Sequence, residues 1–442
     1  MTEFNKTPAY NLKVVVRETG IKPDTLRAWE RRYGLPNPGR TSGGHRLYSE
    51  YDIETLKWLL ERQSEGMSIS RAVELWNTMQ ANEEDPLETQ SYTASPSTPE
   101  FPHLVTGTPI KEMRTHWIKA VLAFDEEVAE NLLTQSFALY PLETVCTELL
   151  QKGISEIGRL WYTGQASVQQ EHFASELATR RLQALIASSP SPTRRANTIT
   201  GTPPQEEHTL SSLLLTLFLR QRGWPVVYLG ANVPLARLEE TIKQTRSNLV
   251  AFTSMQLHTA ASLNQIAQTL KTDDIPFAFG GLIFSQTPNL VNRIPGYFLG
   301  KDFSQAVEAI EHILLHNPPA NPGIPLANRY ITAYEHFLEN QARIEAQLRQ
   351  NLETLGLSYK NTSIATLHFS RDIASALSLG DINYLQSEIN WLEGFIKTHN
   401  ISPQVLETFI SAYHQATESH LDERGQLVLD WLAKASKNIE FI

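Results

Sequence analysis

The 442-residue sequence has one cysteine, Cys146, so no intrachain disulfide can form, and its apolar neighbours mark it as core. It has no run of about 18 apolar residues such as a bilayer span requires. Residues 1–11 are polar and lack the apolar centre of a signal peptide, which together point to a cytoplasmic protein with no membrane partner. The excess of positive charge needed to coat nucleic acid is also missing, since the net charge is −10. That average hides an asymmetry. Residues 1–46 hold nine Lys or Arg against four acids, leaving −15 for the remainder. A basic head on an acidic body implies one nucleic-acid module joined to something else, and the length implies two to four domains.

Residues 10–80 read as a run of short helices. Thr19-Gly20 is a turn signal, and Pro23 stands at the first position of a helix that continues to about residue 32. This is helix-turn-helix spacing. Leu26 and Trp29 would pack inward while Lys22, Thr25, Arg27, Arg31 and Arg32 face phosphates or base edges. A wing follows, in which Gly43 and Gly44 permit close backbone approach and Arg40, His45 and Arg46 supply donors.

The rest divides by composition into a multidomain α and α/β chain. After the head at 1–80, residues 81–106 are rich in Asp, Glu, Ser, Thr and Pro and read as a linker. Residues 107–188 suit a four-helix bundle, with one helix marked by Trp117, Val121, Leu122 and Phe124 and others at 128–140, 142–162 and 166–186. Residues 195–318 alternate short apolar strands (196–200, 226–229, 249–252, 277–280, 297–299) with helices (208–222, 235–245, 259–270, 303–315), which predicts a doubly wound five-stranded parallel sheet. Residues 326–442 are helical throughout, at 330–355, 363–379, 381–399 and 402–435.

Two places carry candidate chemistry. Glu206 and His208 follow the first strand of the α/β region, where such sheets present ligand-binding groups, and a nearby carboxylate can fix an imidazole's tautomer and improve it as a metal donor. Taken alone, the pair reads first as an ordinary exposed histidine in a polar loop. Trp161 is followed after nine residues by Glu171-His172, with Gly164 at the break between two helices. By composition these are a packing aromatic and a surface pair. His312 and His316 have the i, i+4 spacing of a metal pair but no third ligand, and no metal is assigned to them.

The head, with Leu26-Arg27-Ala28-Trp29-Glu30-Arg31-Arg32-Tyr33-Gly34-Leu35-Pro36 and Gly43-Gly44-His45-Arg46-Leu47-Tyr48, resembles the winged-helix domain of the MerR family in the form carried by its CarH-like members. The α/β region resembles cobalamin-binding domains, whose pattern of an acid, His, a small residue, a later Ser and a Gly pair is matched by Glu206, His208, Ser211, Ser254, Gly280 and Gly281. The resemblance implies adenosylcobalamin or another cobalamin as cofactor. His208 would be the lower cobalt ligand in place of the cofactor's own dimethylbenzimidazole. Trp161, Glu171 and His172 would cap the upper face, and Ser254, Gly280 and Gly281 would leave room for the nucleotide tail. It further implies double-stranded operator DNA and a second copy of the chain, in a dimer or tetramer, as partners.

The function so implied is a light-sensing, cobalamin-dependent repressor without enzymatic activity. The alternatives are a cofactor-independent regulator and a corrinoid methyl-transfer protein. Three residues depart from the pattern: Glu206 stands for Asp, Ser211 for Gly, and Tyr162 for the histidine that follows the tryptophan in light-responsive members. Residues 326–442 resemble no family. Their helical pattern suits a packing or oligomerisation domain first, while their length and His336, His368, His414 and His420 raise a sensory or partner-binding module.

Overall fold

The first helix, α1 (Leu12–Thr19), begins where the Asn11 side chain accepts the N–H groups of Lys13 and Val14. Helix α2 (Pro23–Tyr33) starts with proline in its first turn and buries Leu26 and Trp29, as their spacing requires. The wing is an antiparallel pair, β1 (Gly39–Arg40) with β2 (Arg46–Leu47). Helices α3 (Glu50–Ser64) and α4 (Ile69–Ala81) complete a core of Val15, Leu26, Tyr48, Leu56, Trp58 and Trp76. The computed structural model describes residues 4–41, 43–64, 67–81, 85–89, 108–355, 359–399 and 401–438, in two units, Met1–His103 and Leu104–Ile442. The linker expected at 81–106 lies mostly outside the described residues. Where described, it carries a short helix, α5 (Pro86–Thr89), whose Leu87 is buried in the head's core.

In the second unit, α6 (Ile110–Leu122), α7 (Glu126–Leu139), a third helix and α10 (Val168–Ala187) form the bundle. The third runs from α8 (Leu142–Thr144) through a π-helical segment, Val145–Gln151, into α9 (Lys152–Tyr162). Phe124, expected on a buried stripe, instead follows the end of α6 and is exposed over the Phe173 ring.

The sheet comprises β3 (Asn197–Gly201), β4 (Val226–Tyr228), β5 (Ser247–Thr253), β6 (Phe277–Gly280) and β7 (Tyr297–Phe298). All pair in parallel, in the order β4-β3-β5-β6-β7. The alternation along each strand divides two cores. Leu249, Ala251 and Ala278 face α11 (Leu210–Gln221), α15 (Phe303–His316) and the bundle. Val250, Phe252, Phe277 and Phe279 face α12 (Leu238–Thr245) and α13 (Leu257–Thr272). Such two-sided burial explains the near-continuous apolar strands. A short helix, α14 (Leu282–Gln286), follows β6.

The C-terminal helices are α16 (Asn328–Thr354), α17 (Tyr359–Leu379), α18 (Leu385–Thr398), α19 (Gln404–Glu418) and α20 (Gln426–Asn438). They share one core with α13, through residues such as Leu263, Phe337, Ile373 and Tyr413. The single helix expected over 402–435 is broken at 419–425. There Asp422 accepts the Arg424 N–H, and the Asp422 N–H donates to the buried His336 at 3.2 Å. His336 is thereby a structural acceptor.

Where α17 meets α13, His258 and Asp372 approach to 3.9 Å (Nδ1 to Oδ1) and both are buried. Burial, reinforced by the Arg371 charge, lowers the His258 pKa to about 4, so the imidazole is neutral at pH 7. Burial, helped by Glu388 and opposed by Arg371, pushes the Asp372 carboxyl up to about 7. An acid raised in the folded state binds its proton more tightly there than in the unfolded chain. Its contribution is therefore most favourable below the ordinary carboxylate range and is lost as pH rises towards 7. Asp372→Asn removes that loss. Thermal melts should give the variant a Tm a few degrees above the parent at pH 8, with the gap closing near pH 4; a constant gap at all pH values would refute the buried-acid assignment.

Candidate functional site

The loop after β3 lies beside the end of β5, where the strand order reverses and an open α/β sheet offers a crevice. Its centre is Glu206, whose side chain is 0% exposed. One carboxylate oxygen, Oε1, accepts the His208 backbone N–H at 3.0 Å and lies 2.6 Å from His208 Nδ1. The other accepts the Met255 N–H and the Thr259 hydroxyl, each at 2.7 Å. Burial alone would raise this acid, but the hydrogen bonds from His208, Thr259 and Met255 outweigh it and its pKa is lowered. The Glu206 backbone carbonyl accepts from the Thr202 hydroxyl at 2.6 Å, which fixes the loop from beneath.

His208 is the exposed end of this assembly, with 57% of its side chain accessible. It precedes α11, which begins at Leu210, two residues later than the helix expected from 208. The reason is local: the Glu206 carboxylate takes the His208 N–H before a helical turn can form. With Nδ1 held by Glu206, Nε2 is the nitrogen left to face a ligand. The hydrogen bond to Glu206 raises the imidazole pKa against the opposing effect of burial, and the Glu171 charge adds to it. A buried carboxylate orienting an imidazole is the outer-shell arrangement that raises ligand basicity in metal sites. The donor set therefore fits a histidine-ligated metal cofactor.

Ser254, Gly280 and Gly281 stand at the ends of β5 and β6 beside this loop, and the Glu171 charge on the bundle is felt at His208. Ser254 is buried, and its hydroxyl lies 2.7 Å from that of Thr259, in line with Glu206. Gly281 has φ of 121°, and a Cβ there would stand 2.0 Å from the Ser254 carbonyl oxygen, so only glycine fits. At Gly280 a Cβ would meet only Leu299, at 3.6 Å, which leaves space on that side of the sheet end. On the bundle, Trp161 is the last residue but one of α9, Glu171 lies in the first turn of α10 and His172 follows it. Glu171 lies 2.9 Å from His172 Nδ1 and accepts the Ser175 hydroxyl at 2.8 Å. His172 thus repeats the His208 arrangement, with Nδ1 beside an acid. Tyr162 is half-buried: its hydroxyl donates to the Trp391 carbonyl at 3.0 Å, and burial raises its pKa. Thr259, the Met255 N–H and Trp391 were not singled out from the sequence, and no local motif marks them.

In the head, Lys22, Thr25, Arg27, Arg31, Arg32, Arg40 and His45 are all exposed, the first five on or beside α2 and the last two in the wing. Arg46 is half-buried and one of its donors is used within the head. Its Nε donates to Glu30 at 2.8 Å, and the Tyr48 hydroxyl donates to the same carboxylate at 2.5 Å. Arg46 thereby ties the wing to α2.

Residues 10–78 match the family of MerR HTH family regulatory proteins, and residues 114–186 and 196–309 each match a B12 binding domain. The chain is 28% identical over 262 residues to the HTH-type transcriptional repressor CarH of Myxococcus xanthus, covering 59% of this chain and 84% of that protein. To the repressor CarA of the same organism it is 29% identical over 276 residues, covering 61% and 86%. Among solved structures, the monomethylamine corrinoid protein of Methanosarcina barkeri is 16% identical, covers 46% of this chain and 96% of that one, and has a TM-score of 0.39.

Proposed function

We propose that this chain, which joins a MerR-type HTH domain to two B12 binding domains, is a cobalamin-dependent transcriptional regulator: a light-sensing repressor rather than an enzyme. The observation that carries the reading is the buried Glu206 carboxylate holding His208 Nδ1, so that Nε2 of an exposed ring is presented at the sheet's switch point. In this reading His208 would hold the cobalt of a bound cobalamin through Nε2. Ser254, Gly280 and Gly281 would leave room for its nucleotide tail, and Trp161, Glu171 and His172 would hold its upper group. An adenosylcobalamin held there would supply a light-labile cobalt–carbon bond.

The chain's own residues supply the rest. Contacts of Trp161, Glu171 and His172 with the upper group hold the bundle against the sheet, in addition to the packing of α10 on α11. That fixed arrangement favours a dimer or tetramer whose heads engage the operator together. Linked heads bind far more tightly than single ones, so a change in assembly controls DNA occupancy. Lys22, Thr25, Arg27, Arg31, Arg32, Arg40, His45 and Arg46 meet the DNA, and Arg46 also holds the wing in register through Glu30. Repression is favoured because both of the similar regulators compared above carry the name of repressors.

The test is a comparison of DNA mobility shift and solution mass for the full chain with adenosylcobalamin, in darkness and after illumination. The expected result is a dark oligomer that retards DNA, and a smaller species with at least tenfold weaker binding after light. Colourless protein that binds DNA equally in all conditions would refute the cofactor and favour a cofactor-independent regulator.

A further inference from the structure

Residues 328–438 lie beyond the matched B12 binding domains, yet they pack both on α13, which carries Thr259, and on the end of α9, which carries Trp161. From one side, α17 packs on α13, where Asp372 approaches His258, the neighbour of the Thr259 that holds Glu206. From the other, α18 seats on the end of α9. Trp391 and Phe395 stack at 5.4 Å and 13°. Trp161 lies against both, at 6.4 and 6.0 Å between ring centroids, and so does Tyr162, at 5.5 and 6.3 Å. His399 extends the stack beneath Phe395 at 4.1 Å. The Tyr162 hydroxyl bonds the Trp391 carbonyl across 229 residues of sequence.

The seat is shaped for this contact. A Cβ at position 394 would lie 1.9 Å from the Tyr162 hydroxyl oxygen, so glycine is what allows the phenol to reach the α18 backbone. Trp391 nevertheless remains 44% exposed, so the contact covers only part of its ring. A side chain held on one face by another element adopts the position that element dictates. Trp161 is held in this way by α18.

We infer that the Trp391–Phe395 pair positions Trp161, and that the C-terminal helical domain thereby sets which upper group the cobalamin site accepts. The inference rests on the cobalamin reading above. Trp391 and Phe395 are positioning residues: they act through Trp161 and not on cobalt. The seat of α18 on α9 then responds in turn, because a group that contacts Trp161 from its other face bears on the same stack.

The test uses the full chain in darkness, titrated with adenosylcobalamin and, separately, with hydroxocobalamin, and followed by absorbance. In the parent, adenosylcobalamin should bind more tightly, and it should slow hydrogen exchange over residues 385–399 relative to the cofactor-free protein. Trp391→Ala should reduce the preference for adenosylcobalamin about tenfold while leaving hydroxocobalamin affinity and spectrum unchanged, and Trp391→Phe should restore most of it. Gly394→Ala, which displaces the Tyr162 hydroxyl without removing an aromatic ring, should shift the preference in the same direction. An unchanged preference in Trp391→Ala, or equal weakening of both cobalamins, would overturn the positioning role and leave the cofactor assignment standing. A parent that binds neither cobalamin would overturn both.

Discussion

Glu206→Ala should lower the stability of the second unit by about 3 kcal/mol, seen as a lower urea midpoint with unchanged slope. The carboxylate is fully buried and accepts from the His208 N–H, the Met255 N–H and the Thr259 hydroxyl, besides its contact with His208 Nδ1. Removal leaves those donors without their charged acceptor, and hydrogen bonds to charged groups contribute about 1.5–3 kcal/mol each without adding fully. The segment after β5 would loosen together with the His208 loop, because one side chain joins them. Glu206→Gln preserves the shape and one acceptor and should lose about half as much. A loss below about 1 kcal/mol for the alanine variant would show that the carboxylate does not organise the loop.

His208→Ala should weaken cobalamin binding by about 100-fold or more, since even outer-shell partners of metal ligands contribute 10–100-fold. Its effect on stability should be small, because the ring is largely exposed while the carboxylate beneath retains Met255 and Thr259. The two variants therefore separate two roles on one hydrogen bond: Glu206 builds the loop and His208 meets the ligand. Paired absorbance titrations and urea melts check this. An alanine variant that binds cobalamin as the parent does would remove His208 from the site.

The sheet is legible in the sequence, because each strand is a short apolar run between turn residues and both faces are buried; the run at 277–280 is β6 itself, and the other runs lie within two residues of their strands. The head was legible for the same local reasons. What could not be read depends on distant partners. The helix start moved from 208 to Leu210 because a side chain two residues back captures a backbone N–H. Arg46 is tied to a glutamate sixteen residues away, and Glu206 reaches Met255 and Thr259 across 49 and 53 residues. The break at 419–425 follows from the Asp422 cap and from His336, 86 residues earlier. The C-terminal domain's contact with Trp161 carries no periodic signal, since aromatics on a helix serve equally for internal packing.

The most direct test of His208 as the cobalt ligand is electron paramagnetic resonance of the full chain loaded with cobalt(II) cobalamin, prepared with natural and with ¹⁵N-labelled histidine. Coordination by His208 predicts splitting from one nitrogen that changes from the ¹⁴N to the ¹⁵N pattern on labelling, and that is absent in His208→Ala. Splitting that is unaffected by the label would mean that dimethylbenzimidazole remains on cobalt, and would contradict the account at its centre.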